Sequence, residues 1–466
     1  MKEMTLTKNK YFGDALFYKR AITIALPVMA QMLIQNLVSL IDNFMVAGLG
    51  DIKMSGVNIT GQILFVFMVL IGTICTAGGI FMTQYYGAGN KRGMQQSLCF
   101  KLIVAGFAVV IYMIVCMAVP RSVLSLMVIG NAEASAILDV AEKYMFLMGY
   151  IGIPMAISNV VSSSLREIGK VKIPLVVSVI ATLINTFFNW VLIYGNLGAP
   201  RLEVEGAAYA TIIARTAEMI MFIGYCVAKK PPFMIKLSTF LDIDFALFRR
   251  ILQKGSMALF SEMLWVISET ITTALYNGRG GADVVSGMAA SFAIANLFFV
   301  AFGGMNTATS VILGHTLGRG ELDLARQQKR WLLSASVIFG IIMCFVGLLT
   351  MLLVPIVFLN LSTSATEICS KMVFVMSVLM PIWVYINAQF AVSRSGGDTA
   401  MGMWVDGTTT IFLIIPGMFY VALCTSMGPV WMYTLVKLVD VIKIAIAHVW
   451  LKKERWVKNL ALAEEL

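Results

Sequence analysis

Acidic residues lie inside long apolar stretches of this sequence, where an isolated charge costs about 3 kcal/mol or more. Asp42 has no basic residue within one helical turn of its own segment. Gln31, Gln35 and Ser39 share one helical face with it, within about 80°. Such a polar stripe is unfavourable against lipid and suits a water-filled cavity. The alternative is a carboxylate that donors of another helix hold for packing, and we favour the functional interpretation.

A second polar stripe lies in the second half of the chain. Glu262, Trp265, Glu269, Thr272 and Tyr276 fall within about 80° of one helical face. Two carboxylates a heptad apart with aromatic rings between them suit an organic cation, through charge attraction and cation–π contact. The alternative is a buried polar seam between helices. The predicted substrate-binding residues are Gln31, Gln35, Trp265, Glu269 and Tyr276.

Neutral oxygen donors accompany the first stripe. Asn185 and Asn189 are four residues apart on one face, and the next apolar segment carries Thr211. Such oxygens near a carboxylate can bind Na⁺, and they can equally make hydrogen bonds between helices. A poorly hydrated cavity favours the protonated form of a carboxylate, so Asp42 can exchange a proton, or bind Na⁺ when ionised. An ion that competes with substrate, or biases one of two conformations, is the physical basis of antiport.

The other charges within the apolar stretches form sets that can neutralise themselves at helical spacing. These sets are the pair Arg215 and Glu218 and the stripe Lys437, Asp440 and Lys443. Asp406 has no basic partner in its own segment and precedes Gly407. Its role is open between a functional acid and a solvated residue near a loop.

The elements that carry these residues are predicted to be membrane-spanning helices. Hydrophobic residues make up 59% of the 466 and charged residues 13%, about half the charge of a soluble domain. The apolar residues form blocks of about 20, enough to cross about 30 Å of hydrocarbon as helix. The alternation typical of a membrane β-barrel is missing. The predicted spans are 21–47, 57–82, 102–120, 140–164, 173–195, 205–228, 254–277, 285–313, 332–358, 370–393, 399–424 and 428–451.

The net charge of +10 reflects membrane topology, because the basic residues lie in short loops; we therefore expect no nucleic-acid partner. One side of the membrane receives Lys2, Lys8, Lys10, Lys19, Arg20, Lys91, Arg92, Arg166, Lys170, Lys172, Lys229, Lys230, Lys236, Arg249, Arg250, Arg319, Arg326, Lys329, Arg330, Arg394, Lys452, Lys453, Arg455 and Lys458. The other side receives Lys53, Arg121, Arg201 and Arg279. This asymmetry predicts a multi-pass protein of the inner (plasma) membrane with both termini in the cytoplasm. The first block lacks a cleavage signature and is expected to be a permanent span.

Residues typical of disulfides, metal centres or catalysis are sparse. The seven cysteines form no CxxC pair, and His315 and His448 are the two histidines. These counts argue against a disulfide framework, a zinc site and a membrane-embedded enzyme. We expect no cofactor. A channel is the further alternative, although discrete carboxylates in two repeats favour a gated site.

An internal repeat divides the chain into two halves. VAGLGDIKMSGV at 46–57 resembles YNGRGGADVVSGM at 276–288, YYGAGNKRG at 85–93 resembles TLGRGELDL at 316–324, and LREIGK at 165–170 resembles SRSGGD at 393–398. Six spans per half is an even number, so the halves share one orientation around an axis along the membrane normal. The predicted organisation is an N-terminal segment 1–20, an N-lobe 21–228, a cytoplasmic linker 229–253, a C-lobe 254–451 and a tail 452–466.

The order and spacing of several segments resemble the MATE (multidrug and toxic compound extrusion) family over about residues 15–451. These segments are ALPVMAQMLIQNLVSLIDNFMVAGLG at 25–50, QYYGAGN at 84–90, NTFFNWVLIYG at 185–195 and EGAAYAT at 205–211. The resemblance implies an all-α polytopic membrane protein with twelve transmembrane helices in two pseudo-symmetric six-helix lobes around a central cavity. It also implies alternating access.

The resemblance assigns roles to individual positions. Asp42 matches the first-helix acid that the family protonates or loads with Na⁺, and Asn185 and Thr211 match its neighbours. Asn189 stands where many members have Asp, and Glu262 matches an acid of the sodium-coupled branch. That branch has a further acid where this chain has Trp383, so the second site looks incomplete. The predicted ion-coupling residues are Asp42, Asn185, Asn189, Thr211 and Glu262.

These observations predict an ion-coupled exporter of small organic, cationic or amphipathic compounds. Proton coupling at Asp42 is favoured over Na⁺ at Asp42 or Glu262. The alternative transporter is a flippase for lipid-linked saccharides, whose cavity would be more cationic. We expect small-molecule substrates, a lipid bilayer environment and a monomer.

Overall fold

The computed structural model describes residues 10–128, 133–235, 242–357 and 361–462. Lys2, Lys8 and Lys236 of the predicted cytoplasmic charge lie outside them, as do parts of the predicted N-terminal segment, linker and tail. The helices are α1 Ala15–Ala47, α2 Asp51–Ala88, α3 Lys91–Met117, α4 Pro120–Ser125, α5 Ala134–Met148, α6 Gly152–Glu167, α7 Lys172–Tyr194, α8 Glu203–Lys229, α9 Phe245–Asn277, α10 Ala282–Gly318, α11 Leu322–Thr350, α12 Val354–Val357, α13 Thr363–Ser395, α14 Ala400–Thr409, α15 Ile415–Cys424 and α16 Pro429–Lys452.

Three of the predicted spans are built from more than one helix. In the ninth, the 3₁₀ turn Met351–Leu353 joins α11 to α12. The fourth consists of α5 and α6, which the 3₁₀ turn Gly149–Ile151 joins. The eleventh consists of α14 and α15, with a π-helical turn at Thr410–Ile414 between them. Pro416 closely follows this turn, and because it has no N–H it cannot make the backbone hydrogen bond that a continuous helix would require there.

Most helices extend beyond the predicted spans. α1 begins at Ala15 instead of residue 21, and α2 ends at Ala88 instead of residue 82. α9 begins at Phe245 instead of residue 254. Hydropathy identifies only the part of a helix that crosses hydrocarbon. The polar helical turns that continue into water are therefore missing from the predicted spans.

The fold class predicted from the sequence is confirmed. Ten helical segments of the described ranges are long and apolar enough to cross a membrane, and no strand occurs in these ranges. α9 and α16 contain 33 and 24 residues, which at about 1.5 Å per residue also reach across the hydrocarbon. These two helices carry many of the charges discussed above, which lowers their mean hydropathy.

Contacts divide the chain into two compact units. The first-half unit comprises Ala30–Met82 and Lys91–Ile251, and the second-half unit comprises Met1–Met29, Thr83–Asn90 and Leu252–Leu466. The break after Ile251 falls in the predicted linker 229–253. The beginning of α1 and the end of α2 group with the second half, a feature that the repeat does not reveal.

Within the first-half unit, a buried ion pair joins α3 to α6. Lys101 Nζ lies 2.5 Å from Glu167 Oε2 and 3.2 Å from Ser163 Oγ, and its side chain is fully buried. Gly78 and Gly79 of α2 provide the space, because a Cβ on either glycine would overlap one of these two side chains.

Within the second-half unit, α13 is the central helix and packs on α10, α11 and α16. The first-half segments of this unit have specific partners. Gln84 Nε2 donates to the Ser395 carbonyl at 2.8 Å, and Phe17 packs edge-on against Trp331 at 5.0 Å between ring centres. The tail also contacts Gln84, because the N–H of Leu460 donates to its Oε1 at 2.7 Å.

Candidate functional site

The Asp42 carboxylate lies against asparagine side chains of α7 in the first-half unit. Asn189 Nδ2 donates to Asp42 Oδ1 at 2.6 Å. When its amide nitrogen faces the carboxylate, Asn185 donates to the two oxygens of Asp42 at 3.0 and 3.2 Å. The four-residue spacing of the asparagines on α7 places both amides on one face. The structure therefore brings three predicted ion-coupling residues into direct contact.

Thr211 of α8 completes this group. In the opposite orientation of the Asn185 amide, the Thr211 Oγ1 lies 3.5 Å from Asn185 Nδ2. The Thr211 hydroxyl also donates to the Ala207 carbonyl at 3.0 Å. Asn185 and Asn189 are both buried, and Asn189 is only 1% exposed. Asn189 Oδ1 is buried without a hydrogen-bond partner. Because an unpaired buried acceptor is costly, this oxygen is available to a proton donor or a cation.

Asp42 differs from the other acids discussed here in its lack of a fixed counter-charge. No basic side chain of the described residues lies within 4.0 Å of its carboxylate. Arg215 of α8 instead pairs with Glu218 at 2.8 Å, as the spacing predicted. Asp42 is thus stabilised by neutral dipoles, so its charge can be removed by a proton without leaving a cation unpaired.

The glutamines of the first stripe differ in accessibility. Gln31 is buried, and its Nε2 donates to Ser178 Oγ of α7 at 2.8 Å. Gln35 and Ser39 are exposed, and the Ser39 hydroxyl donates to the Gln35 carbonyl at 3.1 Å. Gln35 is thus the exposed glutamine of the stripe, whereas Gln31 links α1 to α7.

The carboxylates of α9 in the second-half unit both have basic partners. Glu262 lies 3.6 Å from the Arg394 guanidinium of α13, and Glu269 forms an ion pair with Lys437 of α16. Lys437 was expected to be neutralised within its own helix, so this part of the self-neutralising stripe is wrong. The Lys437 side chain pairs with Glu269 of α9 because this carboxylate is close in space, although it is distant in sequence.

The two aromatic residues predicted on α9 lie in opposite surroundings. Trp265 is 49% exposed, whereas Tyr276 is fully buried. The Tyr276 ring packs edge-on against Tyr433 of α16 at 5.7 Å between centres. Trp265 is therefore exposed on α9, whereas Tyr276 is enclosed in a packing contact.

A charged cluster in the second-half unit joins the predicted pair Asp440–Lys443 to Asp406. Lys443 Nζ is 3.1 Å from Asp406 and 3.3 Å from Asp440, and Asp406 accepts a hydrogen bond from Ser261 at 3.3 Å. Trp383 Nε1 donates to Asp440 at 2.9 Å. An acid of α16 therefore stands beside the position where the sodium-coupled branch has its own acid on α13. The unpaired Asp406 and the Asp440–Lys443 spacing were the available signals, but their proximity depends on helix packing.

Metal-binding geometry is limited in this chain. The part of the chain that the structure describes contains no group of three or more His, Cys, Asp or Glu side chains able to hold a metal ion. A Na⁺ ion at Asp42 would be a transported ion, and the neutral oxygens of Asn185, Asn189 and Thr211 would complete its ligands. The amide nitrogen of Asn189 now faces Asp42, so its side chain would have to turn to ligate Na⁺.

The sequence model of one protein family covers most of the chain. The MatE family matches residues 27–191 and 258–419. The chain belongs to the MatE family. The two matched ranges include Asp42 of α1, Asn185 and Asn189 of α7, and the α9 stripe.

Individual relatives agree with this assignment. The probable multidrug resistance protein NorM of Thermotoga maritima is 24% identical over 330 residues, 68% of this chain and 67% of that protein. The multidrug resistance protein MdtK of Edwardsiella ictaluri is 26% identical over 331 residues, 69% of each chain. The crystal structure of a Vibrio cholerae MATE transporter, VcmN, superposes with a TM-score of 0.84 at 16% identity, over 95% of this chain and 99% of that chain. This likeness shows a shared fold.

Proposed function

We propose that this MatE protein exports small organic compounds from the cytoplasm and couples export to the entry of a cation that binds at Asp42. The supporting observation is that neutral amides hold Asp42 and that no basic side chain of the described residues pairs with it. Such a carboxylate can gain and lose a cation without breaking an ion pair. The relatives that carry the name multidrug resistance protein support drug-like substrates.

Proton binding would reverse the hydrogen bond between α1 and α7. An ionised Asp42 accepts from Asn189 Nδ2, as in this structure. A protonated Asp42 carries an O–H donor, which can donate to the unpaired Asn189 Oδ1 after a rotation of the amide. Protonation therefore changes both the charge of Asp42 and the hydrogen bonds between α1 and α7. If one conformation of the protein fits the hydrogen bonds of protonated Asp42 better, protonation favours that conformation, and loss of the proton favours the other.

We favour H⁺ over Na⁺ as the coupling ion. Asn189 replaces a second acid, so an ion here meets a single carboxylate. Two amide donors already satisfy this carboxylate in its ionised form. In the second half, Glu262 faces Arg394, whose positive charge opposes a second cation at that site. No cofactor takes part in this scheme, and the protein is a transporter without catalysis.

The wider scheme is alternating access by two six-helix lobes of a monomer in the plasma membrane. In this scheme both termini lie in the cytoplasm, and the substrate binds from the cytoplasmic side. Organic cations and amphipathic compounds are the proposed substrates, with Gln35 and Trp265 as accessible contacts. The exposed half of the Trp265 indole offers an aromatic face to a planar ligand.

One observation favours a second candidate function, export of lipid-linked saccharides. Arg394, Lys437 and Lys443 bring three basic side chains to the acids of the second half. A diphosphate-linked lipid would need such charges. The acids beside them weaken this candidate, because each ammonium or guanidinium already has a carboxylate partner.

Transport in proteoliposomes tests the proposal. Full-length protein is reconstituted, and uptake of ethidium is followed under a proton gradient alone and under a Na⁺ gradient alone. We expect uphill transport with the proton gradient and its loss in Asp42→Asn, while the matched variant Asp406→Asn, in the second-half cluster, retains a proton-driven component. Transport driven by Na⁺ alone and unaffected by Asp42→Asn would overturn the coupling assignment. Saccharide defects in the envelope of a deletion strain, with unchanged drug susceptibility, would favour the flippase.

A further inference from the structure

Lys437 occupies the position that the sequence assigned to an organic cation. Its ammonium forms an ion pair with Glu269 and lies 5.4 Å from the centre of the Tyr433 ring. A carboxylate and an aromatic face are the two groups expected to bind a cationic ligand. The ligand-like cation here is a side chain of the protein itself.

The pair remains accessible. The Lys437 and Glu269 side chains are 16% and 24% exposed, so neither charge is fully enclosed by the protein. The exposed Trp265 lies one helical turn before Glu269 on α9. Tyr433 and Tyr276 behind the pair are buried and fixed by their mutual packing. The pair thus forms the charged wall of a surface with a rigid aromatic backing.

A resident ammonium changes which ligand the wall can bind. A cationic ligand must separate Lys437 from Glu269 and leaves that ammonium partly desolvated beside a like charge. A zwitterionic ligand meets a partner for each of its charges, its ammonium on Glu269 and its carboxylate on Lys437. The first exchange leaves an unpaired charge, whereas the second replaces the one internal ion pair by two pairs with the ligand.

We propose that Lys437 is a specificity-determining residue, a tethered counter-ion of Glu269 that competes with cationic substrates and favours zwitterionic ones. This inference rests on the proposed function, since it concerns the substrates of that exporter. It revises the sequence-based expectation of a freely acidic site on α9. The same side chain could serve only as a link between α9 and α16, and this alternative predicts a different result.

Binding of two matched dyes separates the two roles. Rhodamine B carries a free carboxylate and is a zwitterion, and its ethyl ester is a permanent cation of nearly the same shape. Fluorescence anisotropy of full-length purified protein without ion gradients gives both dissociation constants. The ratio of the two constants, measured on one preparation, does not depend on the fraction of folded protein.

We expect the variants to move this ratio in opposite directions. Lys437→Met should bind the ester about 10-fold more tightly relative to rhodamine B, and Glu269→Gln should shift the ratio the other way by a similar factor. Lys437→Arg should resemble wild type. The control is Lys371→Met, which removes the exposed Glu367–Lys371 pair of α13.

The outcomes also separate this inference from the proposed function. Shifts of the same sign in Lys437→Met and Glu269→Gln, or an unchanged ratio, would assign the pair a purely structural role and overturn the inference. Failure of wild type and all variants to bind either dye would overturn it as well. Opposite shifts in a protein that transports neither dye under any gradient would keep the inference and overturn the export function.

Discussion

The immediate partners of a carboxylate in this protein determine whether it can lose its charge. Asp42 is held by the amides of Asn185 and Asn189, whereas Glu269 is held by the ammonium of Lys437. An amide can donate or accept after rotation, so the first acid tolerates protonation. Loss of charge on Glu269 would leave Lys437 without its carboxylate. We therefore expect the ability of a carboxylate here to exchange a cation to depend on its partner.

Substitution of Asn189 by Asp should create a response to Na⁺. The new carboxylate would lie next to Asp42, where the amide nitrogen now approaches to 2.6 Å. Two carboxylates at this separation cannot both remain ionised without a cation between them. We expect Asn189→Asp to gain Na⁺-stimulated dye efflux in proteoliposomes at alkaline pH, where protons are scarce.

The control for this change is Asn159→Asp on α6, whose amide donates to the Met155 carbonyl within its own helix. It should leave the Na⁺ response at the wild-type level. Equal Na⁺ responses in wild type and Asn189→Asp would contradict the assignment of residue 189 as an ion-site position.

For individual residues, the sequence predicts which side chains share one face of a helix better than it predicts their partners on other helices. The four-residue spacing of Asn185 and Asn189 predicted a shared face, and both amides do reach Asp42. The partners of Lys437 and Asp406 could not be predicted, because each lies on another helix more than 30 residues away. Spacing along the chain contains no information about which helix faces which.

The helices themselves were predictable, and their interruptions were not. Apolar blocks of about 20 residues indicated twelve spans, and each corresponds to a long helix or to a pair of shorter ones. The π-helical turn at Thr410–Ile414 and the 3₁₀ turn at Gly149–Ile151 leave hydropathy unchanged. Such turns arise where a proline or local packing displaces a backbone hydrogen bond.

The ion pair between α3 and α6 should dominate the stability of that helix contact. Lys101 is fully buried beside Glu167, and loss of one partner of a buried pair costs about 3–5 kcal/mol. We expect Lys101→Met to lower the thermal unfolding temperature in detergent strongly. The double variant Lys101→Met with Glu167→Leu should recover much of the loss, because no charge is then left unpaired.

The exposed pair Arg121–Asp139 provides the comparison, and Arg121→Met should change the unfolding temperature little. A double variant less stable than Lys101→Met would show that the pair itself, and not the uncompensated charge, stabilises this contact. That result would contradict the expectation.

Across the whole molecule, the repeat predicted two halves and a break near the linker, but it did not predict the exchange of segments. Phe17 and Gln84 belong to the first half of the sequence, and they pack on Trp331 and Ser395 within the second-half unit. Self-similarity identifies equivalent segments in the two halves. It does not show that a segment of one half contacts the other half.

This exchange predicts that a chain cut in the linker stays together. We expect co-expressed fragments 1–241 and 242–466 to co-purify through a tag on one of them. Substitution of Phe17 and Gln84 by Ala should reduce recovery of the untagged fragment, whereas Phe107→Ala, at an exposed position of α3, should not. Independent purification of the two wild-type fragments would contradict the contacts described.

Proton release on substrate binding tests the central claim most directly. Purified protein in weakly buffered detergent solution is mixed with rhodamine B ethyl ester, and a pH indicator records protons released into the solution. If cation and substrate oppose each other at Asp42, wild type and Glu262→Gln will release protons in proportion to the dye bound, and Asp42→Asn will release none. Equal release from Asp42→Asn and wild type would contradict the account.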